Sequence, residues 1–249
     1  MIKKTISAVL ISLTFVVFSA AKSIALELPE NLSIAVGIAG NAGVFVASGT
    51  EFEGSDHSNT GLAEQTDSGD RAQEVAMGSV FVDFTIADRV TIGFDYTPGA
   101  VETETEGRTD SKGGDDKADA GANGTSSLVD TGNVGTSTVK AELENLRKAY
   151  AEIHLISGIY LKAGYMEMDL NTMENLHTDS SYGNITMKGT QYGIGHKASF
   201  ADGSWIVKTE VTQEAWDNFE IKSSTTGNSN KITGKLDGLQ GRLAIAKSF

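Results

Sequence analysis

From Ser33 to Ala47 the chain alternates with a period of two. Ile34, Val36, Ile38, Gly40, Ala42, Val44 and Val46 fall in one register, and Ser33, Ala35, Gly37, Ala39, Asn41 and Gly43 in the other. Successive side chains of a strand point to opposite faces, so one face here is apolar and the other is small. A strand in a soluble two-sheet protein buries its apolar face and turns large polar residues to water. A face of small residues suits the crowded inside of a narrow closed barrel, with the apolar face outward.

The same pattern recurs along the chain. Ala76, Val80, Val82, Phe84 and Ile86 alternate with Met77, Ser79, Asp83 and Thr85, and Val90, Ile92, Phe94 and Tyr96 with Thr91, Gly93 and Asp95. A second pair carries Ala149, Ala151, Ile153 and Leu155, then Ile159, Leu161, Ala163 and Tyr165, opposite Lys148, Glu152, His154, Lys162 and Gly164. "TQYGIGHKASF" and "SWIVKTEVTQEAW" form a third pair, and "LDGLQGRLAIAKSF" is an eighth segment. Short turns at 87–89, at "ISG" and at 201–204 alternate with long polar connections at 48–73, 98–138, 171–188 and 217–231. Compact soluble domains rarely hold loops of that length. Eight antiparallel strands with short turns at one end and long loops at the other form an up-and-down transmembrane β-barrel, the long loops being extracellular.

The first 25 residues fit delivery to such a place. Lys3 and Lys4 precede the apolar run "AVLISLTFVVF", and small residues follow at Ser19, Ala20, Ala21, Ser23 and Ala25. These are the parts of a secretory signal peptide, with cleavage expected after Ala21 or Ala25, the second being preferred. The run is shorter than the roughly 20 residues of a spanning helix. Residues 26–249 then keep 17 basic and 33 acidic residues, a formal charge of -16, which argues against a nucleic-acid partner. The chain has no cysteine, so neither disulfides nor a thiol nucleophile is available. It has 28 glycines, many inside alternating segments, but only two prolines, Pro29 and Pro98.

Two segments fit the pattern less directly. "KAELENLRKAY" sets Leu143, Leu146, Tyr150 and Ile153 at helical spacing, yet Ala149–Leu155 alternates and needs a continuous partner, so residues 140–150 are read as a strand extension with a helix as the alternative. "DSKGGDDKADAGANG" is an acidic, low-complexity stretch without the ligand order of a calcium loop.

The last residues carry a resemblance. Phe249, Ile245, Leu243 and Leu239 fall in one alternating register that ends on an aromatic residue. The chain resembles the small eight-stranded outer-membrane β-barrel proteins, the OmpX and OmpA transmembrane-domain type, over essentially all of its length after the signal peptide. In that family such a C-terminal pattern is recognised by the barrel assembly machinery. Lys247 departs from it, standing where the family often has an apolar residue. The resemblance implies a cell outer membrane location and the barrel assembly machinery and periplasmic chaperones as partners in biogenesis. Outer-membrane lipid and lipopolysaccharide would surround the finished barrel.

Barrel closure leaves no strand edge in lipid. Tyr96, Tyr165, Tyr192, Trp205 and Trp216, with Phe249, are the expected interfacial aromatics. The inward registers place Asp83, Glu152, Lys162, Lys197, Lys208, Glu210, Glu214 and Arg242 in a polar lumen network. Eight strands enclose space that side chains fill, so these charges are expected to pair and plug it. His154 is the one histidine placed inside, and no serine is fixed beside it, so no catalytic residue is assigned. No cofactor or metal site is expected. The resulting expectation is a structural or surface-interaction role in envelope integrity, adhesion or shielding. A narrow diffusion channel for small polar solutes is the alternative, and an outer-membrane lipid-modifying enzyme comes third.

Overall fold

A computed structural model describes residues 29–53, 65–99, 101–103, 105–111, 134–176, 181–225 and 230–249. The signal segment and most of the acidic low-complexity stretch lie outside the described residues. The strands are β1 (Leu32–Glu53), β2 (Gln65–Ile86), β3 (Val90–Thr97), β4 (Val101–Glu102), β5 (Glu106–Ser111), β6 (Val134–His154), β7 (Ile159–Asn175), β8 (Ile185–Phe200), β9 (Trp205–Trp216), β10 (Phe219–Lys222) and β11 (Lys231–Ser248). With β4 and β5 prolonging β3 along β6, and β10 prolonging β9 along β11, they make eight antiparallel staves.

The ring closes between β1 and β11, from Ala35 opposite Ser248 to Phe52 opposite Lys231. Phe249 completes it: its N–H donates to the Ile34 carbonyl at 2.8 Å, and Ile34 N–H donates to the Phe249 carbonyl at 3.3 Å. Strands also run further than the alternation alone indicates. Residues 48–53 pair with 65–70, so the first long connection is largely a β-hairpin rather than a loop.

Short connections sit at one end. At two of them consecutive non-glycine residues adopt positive φ, Ala87 with Asp88 and Ala201 with Asp202. Two such residues match the right-handed twist of hairpin strands.

The segment "KAELENLRKAY" is strand, inside β6. Its helical spacing comes from a bulge. Asn145 has φ 53°, and the β6–β7 register shifts between Glu144, opposite Asp169, and Arg147, opposite Glu167. One inserted residue changes which parity faces inward. Leu143 therefore packs inward before the bulge, and Leu146, Lys148 and Tyr150 after it. Asn145 is held by the Tyr96 hydroxyl, which donates to its Oδ1 at 2.9 Å, and donates itself to Asp169 at 3.2 Å. Asn145→Val, which disfavours the left-handed backbone, should lower stability by about 1–2 kcal/mol in urea unfolding, whereas Asn145→Gly should be milder.

Glycines inside the strands seat aromatic rings of neighbouring strands. A side chain at Gly93 would overlap the Tyr150 ring, one at Gly195 the Tyr160 ring, and one at Gly238 the Phe45 ring. Gly195→Ala should cost about 1–3 kcal/mol by this overlap. Gly40→Ala, where nothing lies within 4 Å, should change the unfolding midpoint little.

Candidate functional site: a charged floor, an apolar upper compartment and an open seam

The outward register builds the lipid face. Val82, Phe84, Ile92, Ala151, Leu161 and Ile194 point outward, and Phe94 is 52% and Leu243 62% exposed. Water would penalise that surface, and lipid does not. Tyr96, Tyr165 and Tyr192 share this outer face, and Trp205 stacks on Phe200 beside the short turn at 201–204. Trp216 is a correction to the expected girdle. It is 3% exposed and inside, because β9 turns Ile206, Lys208, Glu210, Thr212, Glu214 and Trp216 inward in a single register.

The half of the interior nearer the short turns is a floor of paired charges. Lys208 Nζ donates to Glu152 at 2.5 Å and to Asp83 at 3.0 Å. Glu210 accepts from Lys162 at 2.8 Å, Arg242 at 2.8 Å and the Tyr160 hydroxyl at 2.7 Å. Arg242 also donates to Asp95 at 3.0 Å, and Tyr150 donates to Asp83 at 2.7 Å. Lys148 joins Glu214 at 2.5 Å to Gln240 at 3.2 Å. Rings complete the packing: Lys162 Nζ lies 3.7 Å from the Tyr150 ring centre, and the Arg242 guanidinium 4.4 Å from that of Phe81.

Six of the eight residues assigned to the lumen thus meet in one network, and Glu214 pairs with Lys148 in a second group beside it. Lys197 joins neither: it is half-buried and makes no ion pair or side-chain hydrogen bond among the described residues. Asp95 joins the first group through Arg242 and Lys148 anchors the second, although neither is among the residues expected there. Both stand on registers already read as inward, so the parity that placed Asp83 and Glu152 was signal enough. A void of about 10 Å³ lies among Asn41, Lys162, Gln191 and Arg242, room for about one water and not for a solute path.

At the rim, Thr91 Oγ1 lies 2.9 Å from His154 Nε2, and Glu152 Oε2 lies 3.7 Å from the same nitrogen. A nucleophile and its orienting carboxylate must engage opposite ring nitrogens for the histidine to relay a proton between roles. Here both engage one, so the trio is not arranged as a triad.

Above the floor the interior changes character. Phe45, Val75, Leu146, Met166, Met168, Leu170, Met187, Trp216, Ile221 and Leu236 form a buried apolar cluster, with Met77 and Val101 against it. The lumen is therefore not polar throughout, which corrects the expectation. "YMEMDL" carried the signal, since Met166, Met168 and Leu170 continue the inward register of Lys162 and Gly164. Tyr182 covers the compartment from the β7–β8 connection, and its hydroxyl donates to Glu51 of β1 at 3.2 Å.

The wall beside this compartment is interrupted. β2 pairs with β3 only from Val80 opposite Tyr96 to Ile86 opposite Val90. Pro98 follows the end of β3; it has no N–H for a ladder, and a central strand does not continue through it. β4 and β5 resume alongside β6 but make no ladder with β2 among the described residues. A side-chain bond crosses the seam there, from Gln73 Nε2 to the Glu102 carbonyl at 3.0 Å.

No family model and no curated protein matches the chain. Among solved structures, the chain is similar to the outer membrane protein OprG from Pseudomonas aeruginosa, with 10% identity, a TM-score of 0.45, and coverage of 87% of this chain and 95% of that one. It is similar to the outer membrane protein AlkL, with 14% identity, a TM-score of 0.44, and coverage of 91% and 94%. It is also similar to Neisserial surface protein A, with 10% identity, a TM-score of 0.31, and coverage of 81% and 95%. A closed ring of eight antiparallel staves, an apolar outside, short turns at one end and long connections at the other are the features of outer-membrane barrels. The chain folds as a closed eight-stranded, antiparallel, up-and-down β-barrel with an apolar outer face.

Proposed function

We propose that the barrel admits small apolar molecules from the extracellular side into its upper compartment and releases them sideways into the bilayer through the seam at Pro98. The observation that carries this reading is the pairing of an apolar interior with an interrupted wall directly beside it. An open strand edge next to lipid is costly, so its presence calls for a use. Methionine suits such a compartment, because its unbranched thioether adapts to guests of irregular shape. The floor opposes the alternative of a polar-solute channel: its charges pair with one another across the axis. The floor acts as a closed structural plug.

A structural or surface-interaction role is the second reading. It is favoured by the polar β1–β2 hairpin, where Ser68, Asp70 and Arg71 are exposed on the extracellular extension.

The test uses the absence of native cysteine. Gln73→Cys with Glu102→Cys, joined by a short cleavable bifunctional reagent, should close the seam. Whole cells carrying the protein should take up naphthalene faster than cells without it. Cross-linking should abolish the difference, and cleavage of the reagent should restore it. Equal uptake with and without the protein would refute the reading.

A further inference from the structure

The outer wall carries a groove of about 610 Å³ across β2, β3, β6 and β7, lined by Val80, Val82, Phe94, Tyr96, Ala149 and Tyr165. Its base is low because Ala149 stands between Phe94 and Tyr165 in register, with Ala151 and Ala163 beside one another in the next outward row. The groove opens onto the lipid face, so a lipid chain is the occupant that its surroundings supply.

The upper end of the groove is polar. Tyr96, Arg147, Glu167 and Lys188 are register neighbours across β3, β6, β7 and β8. Arg147 uses one guanidinium nitrogen on Asp169, at 3.2 Å, and its side chain is still half exposed. Lys188 is exposed and has no ion-pair partner among the described residues. Glu167, the anion between them, is engaged by the Tyr165 hydroxyl at 3.2 Å. This row lies toward the end with the long connections, which faces outward from the cell. Tyrosines and cations above an apolar trough match the depth order of phosphate, glycerol or sugar, and acyl chain.

We propose that the groove is a lipopolysaccharide site, which takes one acyl chain along Ala149 and meets a lipid A phosphate with Arg147 and Lys188. Arginine and lysine together favour a phosphate over a neutral head, and the outer leaflet that this end faces is where phosphorylated glycolipid resides. The site lies on the outside of the wall and is independent of any passage through the seam.

The test is binding of purified lipopolysaccharide to the folded protein in mild detergent, read by native mass spectrometry, with phosphatidylglycerol as the competing lipid. Folding of each variant is checked by its heat-dependent gel shift. The unmodified barrel should hold one lipopolysaccharide in preference to phosphatidylglycerol. Arg147→Glu with Lys188→Glu should weaken that binding about tenfold or more, as loss of charge-assisted hydrogen bonds does. Ala149→Trp, which fills the trough, should weaken it similarly. Val211→Trp, at another lipid-facing position, should leave it unchanged. Equal binding by all four proteins would mean ordinary surrounding lipid and would overturn the proposal, as would phosphatidylglycerol binding as tightly as lipopolysaccharide.

Discussion

Replacing Glu210 by alanine should lower the stability of the folded barrel by about 3–5 kcal/mol, the cost of leaving buried charge without its partner. Glu210 is where the floor converges. One oxygen accepts from Tyr160 and Arg242, and the other from Lys162. Arg242 would keep Asp95, but Lys162 would lose its one ion-pair partner among the described residues. Its ammonium group would then sit buried against the Tyr150 ring, which cannot replace a carboxylate. Glu210→Gln, which keeps an acceptor oxygen at the same place, should cost less than alanine. Lys235→Ala breaks an exposed pair with Asp237, at 2.7 Å, and should cost less than about 1 kcal/mol. The urea midpoint and the temperature of the gel-mobility shift should rank the three variants in that order. A Glu210→Ala barrel as stable as the Lys235→Ala barrel would mean that the floor does not hold the fold together.

Trp216→Ala separates stability from passage. The side chain is buried in the upper apolar cluster, and truncating a buried tryptophan costs about 3–5 kcal/mol in lost contacts and residual cavity. Its indole N–H has no hydrogen-bond partner among the described residues, so the loss is one of packing. The same truncation enlarges the compartment beside the seam. The variant should therefore unfold at lower urea and yet take up naphthalene at least as fast as the unmodified protein. Slower uptake by a correctly folded variant would place the route of entry elsewhere.

The parts of the fold that could be read from the residues are those fixed by parity. Once Ile34, Val36 and Ile38 were placed outward, every strand without an irregularity placed its own inward residues, which is why Asp83, Glu152, Lys162, Lys208, Glu210, Glu214 and Arg242 fall in the floor. Parity fails where the chain inserts a residue. At Asn145 a bulge imitated a helical spacing, and no composition rule distinguishes Leu143–Leu146 on a bulged strand from the same pair on a helix. Trp216 departs from expectation for a different reason: a position near a strand end suggests a girdle, while the register it shares with Glu214 puts it inside. The seam had a visible cause in Pro98, but a proline at the edge of a long connection reads as the start of a loop. Its effect on β2 exists only in the pairing of strands. Lys197 shows the remaining limit, since an inward register at the rim gives a position but not a partner.

Single-channel recording of the purified barrel in a planar bilayer tests the central claim most directly. Four buried cations and five buried carboxylates meet across the axis, namely Lys148, Lys162, Lys208 and Arg242 with Asp83, Asp95, Glu152, Glu210 and Glu214. Eight staves leave no room for water to pass around such a set. The account predicts no resolvable openings in the unmodified protein under symmetric salt. Steady openings of one defined conductance, retained when the seam is cross-linked through positions 73 and 102, would show an axial pore through the floor and contradict it.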